Sequence, residues 1–146
     1  MEHTKNIIHL VKLSVGSESV DSLEEWQEAR RKDLPDKLPR HVTRMWPKRE
    51  DEILNGGSIY WVIQGAIRCR QKIIRLDEVI GNDGIRRCGI VLDSQIIRTS
   101  QALKRPFQGW RYLNPADAPA DLTQARQSED TLPDDLSAAL SDIGVR

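Results

Sequence analysis

The sequence predicts an α+β domain over residues 1–113, in which a small, strongly bent sheet of five to seven strands, or a small β-barrel, is flanked by two or three helices. Three observations predict it. Apolar and polar side chains alternate over residues 58–79, which is the period of a strand. A capping-box pattern beginning at Asp21 or Ser22 opens a helical segment. After residue 113 the composition shifts to proline, alanine and aspartate, which is typical of a linker or tail.

The N-terminal third is expected to contribute one strand and one helix. Residues 6–15 alternate as a strand that ends at Gly16, and His9 within it is interpreted as a hydrogen-bonded strand histidine. The helix is expected over residues 20–32, with Trp26 on its buried side. Two closely spaced prolines then indicate a loop.

The centre of the chain is predicted to be mainly strand. Residues 41–46 alternate as a short strand, and residues 47–54 place proline and acidic side chains at the start of a short helix. The run over residues 58–79 exceeds a typical strand, and Gly65 is expected to mark either a bulge or a turn that splits it. The inward side chains are expected to be Ile59, Trp61, Ile63, Ile67, Cys69 and Ile73, and the outward ones Arg68, Arg70 and Lys72.

A hairpin turn is expected at Gly81-Asn82-Asp83-Gly84. Further strands are expected over residues 86–93, 94–99 and 105–113. Residues 114–146 read as an acidic, proline-containing tail with a short amphipathic helix over residues 131–144.

Composition narrows the class of protein. No apolar run approaches the roughly 20 residues that span a bilayer, and the N-terminal apolar stretch is interrupted by His9 and Lys12, so a cytoplasmic protein is expected. Cys69 and Cys88 form no C-x-x-C pair, and neither a metal nor a cofactor is expected. Both are interpreted as small buried thiols, with a cysteine nucleophile paired with His41 as the alternative.

The net charge of zero conceals a segregation of charge along the chain. Residues 40–111 carry 14 basic and 7 acidic side chains, a net charge of +7. Residues 112–146 carry 2 basic and 7 acidic side chains, a net charge of −5. The basic centre suggests an anionic partner, and the acidic tail suggests a solvated segment or one that covers the basic part.

Aromatic residues are concentrated in the same basic segment. Six of the seven lie between residues 46 and 112, and three of them fall in the stretch RPFQGWRYL, residues 105–113. Basic and aromatic side chains together are typical of single-stranded nucleic-acid binding, whereas a packed core gives the same pattern. Trp61 and Phe107 are assigned to the core. The candidate nucleic-acid-binding residues are Arg44, Trp46, Arg68, Arg70, Lys72, Trp110, Arg111 and Tyr112.

The stretch TRMWPKRE allows a catalytic alternative. Thr43, Lys48 and Glu50 could serve nucleophilic or general-base chemistry if the fold brought them together. A strand followed by a capped helix explains the same residues without catalysis. The sequence contains no nucleophile-elbow, phosphate-loop or dinucleotide motif.

The stretches HVTRMWPKR, GGSIYWVIQGAIRCRQKI, DGIRRCGIVLD and RPFQGWRYL resemble a bacterial, largely alphaproteobacterial, family of domains of unknown function, over about residues 7–121. That family carries no assigned chemistry. The order of elements also resembles the PUA-like superfamily, including its EVE and ASCH branches. This resemblance implies a small β-barrel with flanking helices that binds RNA or modified bases, although neither branch's signature is present in a clear form.

The favoured hypothesis is therefore a module that binds RNA, another single-stranded nucleic acid or a modified nucleotide, with arginines on phosphates and an aromatic ring stacked on a base. One rival is a small amidohydrolase acting on a modified nucleoside. Another is a module that binds an acidic protein. A deep pocket containing Thr43, Lys48 and Glu50 would favour the enzyme, and an open basic groove would favour binding. The oligomeric state stays open.

Overall fold

The computed structural model of the protein describes residues 6–122. Within this range the chain forms seven strands, two α-helices and one short 3-10 helix. The elements are β1 (His9–Leu13), α1 (Val20–Arg31), β2 (Arg40–Thr43), α2 (Glu50–Leu54), β3 (Ser58–Ile63), β4 (Ala66–Ile80), β5 (Arg86–Leu92), β6 (Ile97–Leu103), β7 (Trp110–Leu113) and the 3-10 helix Pro115–Asp117. No helix within residues 6–122 is long and apolar enough to cross a membrane. The predicted α+β class, strand number and helix number are confirmed.

The strands form one mixed sheet in the order β2-β5-β4-β3-β1-β7. β1 is parallel to β3 and antiparallel to β7. The 15-residue β4 is the central strand, and all its pairings are antiparallel. Its first half pairs with β3 along one edge and with β6 along the other, and its second half pairs with β5. Across the described residues the sheet stays open, with β2 and β7 at its two ends, so the predicted barrel alternative is wrong.

The long run after residue 58 is split by a turn at Gln64-Gly65, where both residues have positive φ. Beyond this turn, Trp61 pairs with Cys69 but Val62 pairs with Ile67, so Arg68 is left over as a β-bulge. The extra residue reverses the alternation of the strand. Ile67 consequently packs on the face of the sheet opposite to Cys69, and the prediction that the two share a face is wrong.

Each face of the sheet has its own apolar cluster. The helical face, which α1 and α2 cover, contains Ile8, Leu10, Val20, Leu23, Ile53, Ile59, Trp61, Ile63, Cys69, Ile73, Cys88, Ile90, Leu92, Ile96 and Trp110. The loop face contains Val11, Tyr60, Val62, Ile67 and Leu113, with Leu13, Ala102, Phe107 and Ala118 packed against them. All six residues of β3 are buried, because both of its faces are covered. The predicted status of Cys69 and Cys88 as buried strand thiols is confirmed.

Helix α1 begins at Val20, as predicted, but its N-cap lies two or three residues before the predicted capping box. Ser19 is the N-cap, and its side chain and that of Ser22 form a reciprocal capping box. This start directs Val20, Leu23 and Gln27 toward the sheet. Trp26 is instead 55% exposed and stacks against Arg30, so its predicted burial is wrong.

The buried Gln27 belongs to a polar network beneath α1. Its amide exchanges two hydrogen bonds with that of Gln71 on β4, at 2.8 and 2.7 Å. The Trp61 indole N–H donates to the same Gln71 oxygen, and the Gln71 nitrogen also donates to the carbonyl oxygen of Asp93. All four hydrogen-bonding positions of the Gln71 amide are thereby used, as burial requires. This network ties α1 to β3 and β4.

The first part of the predicted tail lies on the loop face. Asp121 forms a bridge with Thr99 of β6, and Ala118 packs against the apolar cluster there. Backbone N–H groups of Ser100 and Leu122 donate to Ala120 and Arg98 respectively, which extends the pairing. The helix expected over residues 131–144 lies outside the described residues.

Two histidines are held neutral by the fold. His9 Nδ1 accepts a hydrogen bond from the Ser58 backbone N–H at 3.0 Å, which confirms the predicted strand role. Burial, with Arg70 nearby, lowers the pKa of His9. His41 meets the Trp61 ring edge-on with centroids 6.0 Å apart, and burial, followed by the charge of Lys12, lowers the pKa of His41 to about 4.

Because these pKa values are lowered, the free energy of unfolding is expected to decrease already at pH values above those at which ordinary carboxylates are protonated. Below about pH 6.5 the histidines of the unfolded chain are protonated, whereas His41 in the folded protein stays neutral down to about pH 4. The free energy of unfolding therefore falls as the pH falls through this window. We expect a loss of about 1–3 kcal/mol between pH 7 and about pH 4.5, measured by urea unfolding. His41→Asn should remove most of this slope. A variant that keeps the full slope would contradict the assignment.

Candidate nucleic-acid interface

The basic stripe expected on β4 is largely occupied by contacts within the protein. Arg68, at the bulge, donates through Nε to the carbonyl oxygen of Ile63 at 2.6 Å and through a terminal nitrogen to that of Gln64 at 3.4 Å. Its guanidinium therefore fastens the β3–β4 turn. The bulge also removes Arg68 from the regular alternation that would have aligned it with Arg70 and Lys72.

Arg70 is paired with a carboxylate. Its guanidinium donates two hydrogen bonds to Asp121, both of 2.8 Å, and a third to Ser58 Oγ at 2.9 Å. The hydrogen bonds between the two groups raise the pKa of Arg70 and lower that of Asp121. Lys72 is exposed and has no carboxylate partner among the described residues. One cation of the predicted stripe is thus left for a ligand.

Trp110 and Tyr112 are structural rather than exposed. The Trp110 indole is 5% exposed and donates to the Met45 carbonyl oxygen at 2.9 Å. The Tyr112 hydroxyl accepts from the backbone N–H groups of Lys48 and Arg49, at 2.9 and 3.1 Å. The two rings meet edge-on on the helical face, with centroids 4.9 Å apart. They fasten the segment between β2 and α2, so the expectation that Trp110 faces a ligand is wrong.

Two further candidate residues, Trp46 and Arg44, lie on that fastened segment, since β2 ends at Thr43. Trp46 is half-buried, donates to Glu50 at 3.3 Å, and has the Arg86 guanidinium 4.3 Å above its ring. Its faces are therefore partly covered. Arg44 is exposed and pairs with no carboxylate among residues 6–122.

The catalytic alternative gains no support from the contacts of its residues. Thr43 accepts a weak hydrogen bond from the Met45 N–H, Glu50 accepts from Trp46, and Lys48 is exposed. Neither of the two pockets described below includes any of the three residues. Burial, then the nearby Glu50 carboxylate, raises the pKa of Cys88 to about 11, which keeps it a neutral thiol.

An open basic cleft of about 440 Å³ lies beside β7, between it and the end of β6. Its walls include Val11, Lys104, Arg105, Phe107 and Arg111, and none of the residues 6–122 that line it is acidic. None of the three cations pairs with a carboxylate among the described residues. The Arg111 guanidinium lies 5.4 Å from the centre of the half-buried Phe107 ring. A backbone hydrogen bond of 3.0 Å from Lys104 to Gly65 holds this loop at the β3–β4 turn.

The cleft and the β4 arginine belong to one row of the loop face. Across neighbouring strands, Arg111 is paired with Val11, Val11 with Tyr60, and Tyr60 with Arg70. Directly paired residues share a face of the sheet, so Arg111 and Arg70 stand at opposite ends of the row. Asp121 covers the Arg70 end, and the cleft leaves the Arg111 end open.

Among the sequence-predicted candidates, only Arg111 contributes a free cation to the cleft, and Tyr112 borders it from the edge strand. Sequence reasoning missed Lys104 and Arg105. Arg105 opens the very stretch that the aromatic pattern had singled out, and Lys104 directly precedes that stretch, so the signal was present. Residues 6–122 contain no cluster of side chains that could hold a metal ion.

The fold and the cleft define a small α+β protein with an open sheet and a cationic cleft on one face. A family model described as protein of unknown function (DUF1489) matches residues 10–146, and the chain belongs to that family. This confirms the resemblance to a family of domains of unknown function. No curated protein and no solved structure matches the chain.

The contacts of β7 predict that substitutions at two neighbouring residues change the free energy of unfolding by very different amounts. Trp110→Ala should lower the free energy of unfolding by about 3–5 kcal/mol, since it empties a core site and leaves the Met45 carbonyl without its donor. Arg111→Gln, one position away and exposed, should change stability by less than about 0.5 kcal/mol. Urea unfolding measures both. Equal stability of the two variants would contradict a structural role for Trp110.

Proposed function

We propose that the protein binds single-stranded nucleic acid through the cleft formed by Lys104, Arg105, Phe107 and Arg111. The observation that carries the proposal is the gathering of three cations around one aromatic ring in an open groove. Within residues 6–122, none of these cations pairs with a carboxylate and no acidic side chain lines the groove. The other arginines of the loop face are engaged by the protein itself.

The chemistry of this cleft matches an anionic, partly aromatic ligand. Unpaired cations in an open groove attract phosphates and release their counterions. The Phe107 ring and the Arg111 guanidinium beside it offer flat surfaces on which a base can stack, and stacking tolerates any base. The cleft contains no regular arrangement of hydrogen-bonding side chains that would read a base sequence, so binding with little sequence preference is expected.

The chain after β7 fits a role in limiting this binding. Asp121 already occupies Arg70, at the far end of the row that begins at Arg111. A strand of nucleic acid that extended along the row would compete with that carboxylate for the Arg70 guanidinium. The similarity to the PUA-like superfamily, a bacterial origin and a cytoplasmic location stay predictions from the sequence.

The proposal predicts a steep dependence of affinity on salt. For a single-stranded oligonucleotide the log–log slope should be near −0.7 for each phosphate neutralised, and Lys104→Gln/Arg105→Gln/Arg111→Gln should weaken binding and flatten the slope by about 2. A matched control that removes the same charge from elsewhere, Arg30→Gln/Lys32→Gln/Lys48→Gln, should retain most of the affinity and slope. Equal losses in both triple variants would refute the cleft as the site and leave only general charge attraction.

A second variant separates nucleic acid from an acidic protein partner. Phe107→Leu keeps an apolar side chain in the loop-face cluster but removes the ring on which a base can stack. It should weaken oligonucleotide binding by about tenfold, within the range of one stacked base, and leave binding of a polyglutamate peptide unchanged. Tighter binding of polyglutamate than of the oligonucleotide would favour the acidic-partner hypothesis instead.

A further inference from the structure

A second pocket, independent of the cleft, lies on the helical face of the sheet. It has a volume of about 220 Å³ and is enclosed by the end of β1 and the turn after it, by α1, and by residues of β2, β3 and β5. Its walls are mainly apolar, with Leu23 and Leu92 among them. It is smaller than the roughly 300–1,000 Å³ of pockets that hold drug-sized ligands, which suits a ligand that places about one ring system inside it.

A buried amide with unused hydrogen-bonding capacity lines this pocket. Gln27 is only 6% exposed, and its hydrogen bonds with Gln71 use one of its two N–H groups and one of its two oxygen lone pairs. The remaining N–H and lone pair have no partner among the described residues. The orientation of the amide is determined, since the Trp61 N–H identifies the Gln71 oxygen and Gln71 in turn orients Gln27. Each polar atom of the Gln27 amide thus has one partner, and its second N–H and second lone pair can serve a ligand or a water molecule.

Aromatic rings frame the same pocket. The Trp61 indole forms one wall and is held by His41, which meets it at 86°. Trp26 lies on the rim and is 55% exposed, an unusual position for the largest apolar side chain. Arg30 stacks on Trp26 at 4.8 Å and steadies it. Flat aromatic walls of this kind favour a flat ligand.

The pocket supplies one available positive charge. Lys12 is half-buried, donates only to the Leu13 carbonyl oxygen at 3.5 Å, and pairs with no carboxylate among residues 6–122. Burial lowers its pKa, which indicates an ammonium group whose hydration is incomplete. Arg40 also lines the pocket; its terminal nitrogens meet Asp36 and Asp77, whereas its buried Nε has no hydrogen-bond partner among the described residues. In the part of the chain that the structure describes, no acidic residue lines the pocket to compete for Lys12.

We propose that this pocket binds a heteroaromatic ring that carries one anionic group. The ring would lie against Trp61 and Trp26, a ring nitrogen or exocyclic group would meet the open positions of Gln27, and the anion would meet the Lys12 ammonium group. Carboxylates of nitrogen heterocycles and nucleoside monophosphates share this chemistry. The site faces away from the cleft, so its occupant is a separate ligand.

Calorimetric titration of the full chain with matched pairs of compounds tests the proposal. The anions are nicotinate, indole-3-carboxylate, AMP and UMP, and the neutral counterparts are nicotinamide, indole-3-carboxamide, adenosine and uridine. At least one anion should bind with a Kd below about 1 mM and about tenfold more tightly than its neutral counterpart. Preference for a carboxylate or for a monophosphate then identifies the source of the charge. Absence of binding by every anion overturns the proposal.

Variants locate the binding. Lys12→Met should abolish the preference for the anion over its neutral counterpart, whereas Lys72→Met, an exposed lysine on β4, should not. Trp26→Ala changes an exposed side chain, should leave the melting temperature nearly unchanged, and should weaken binding of the ring about tenfold. A Lys12→Met protein that keeps its anion preference refutes the site. So does loss of binding in the Lys104→Gln/Arg105→Gln/Arg111→Gln variant, which would place the ligand in the cleft.

Discussion

The bulge at Arg68, where β4 pairs with β3, is the constraint on which the rest of the structure depends. It shifts the alternation of the central strand by one position, so that Cys69, Gln71 and Ile73 face the helices while Arg70 faces the loops. Gln71 can then bind the amide of α1, and Arg70 can meet Asp121. Without the bulge, residues on one side of position 68 would present their side chains to the wrong face.

This arrangement separates structural and binding roles between the two sides of β7. On the helical side, Trp110 and Tyr112 fasten the chain between β2 and α2 through three hydrogen bonds to its backbone. On the loop side, Arg111 projects from the same strand toward Phe107 and an open cleft. An edge strand anchored on one face can hold a charged side chain steadily on the other, which favours a site that is formed before the ligand arrives.

The parts that sequence reasoning located depend on local signals. Alternation and turn residues predicted the strands and the Gly81–Gly84 hairpin, and the charge segregation pointed to the basic centre of the chain. The errors arose where a distant partner decides. Gln27 takes the buried position in place of Trp26 because its amide forms hydrogen bonds with Gln71, 44 positions away. Trp110 is buried because Met45, 65 positions away, accepts its hydrogen bond. The bulge at Arg68 has no local signature, since the nearby Gly65 serves the turn instead.

The central claim is that the loop face binds single-stranded nucleic acid and the helical side of β7 does not. Heteronuclear NMR with an oligonucleotide of about 10 nucleotides tests it most directly, since a single titration reports on both sides of the strand. We expect the backbone signals of Lys104, Arg105, Phe107 and Arg111 to shift together, while the signal of the Trp110 indole N–H, which is hydrogen-bonded to Met45, stays in place. Shifts confined to Arg44, Trp46 and the Trp110 indole would contradict it.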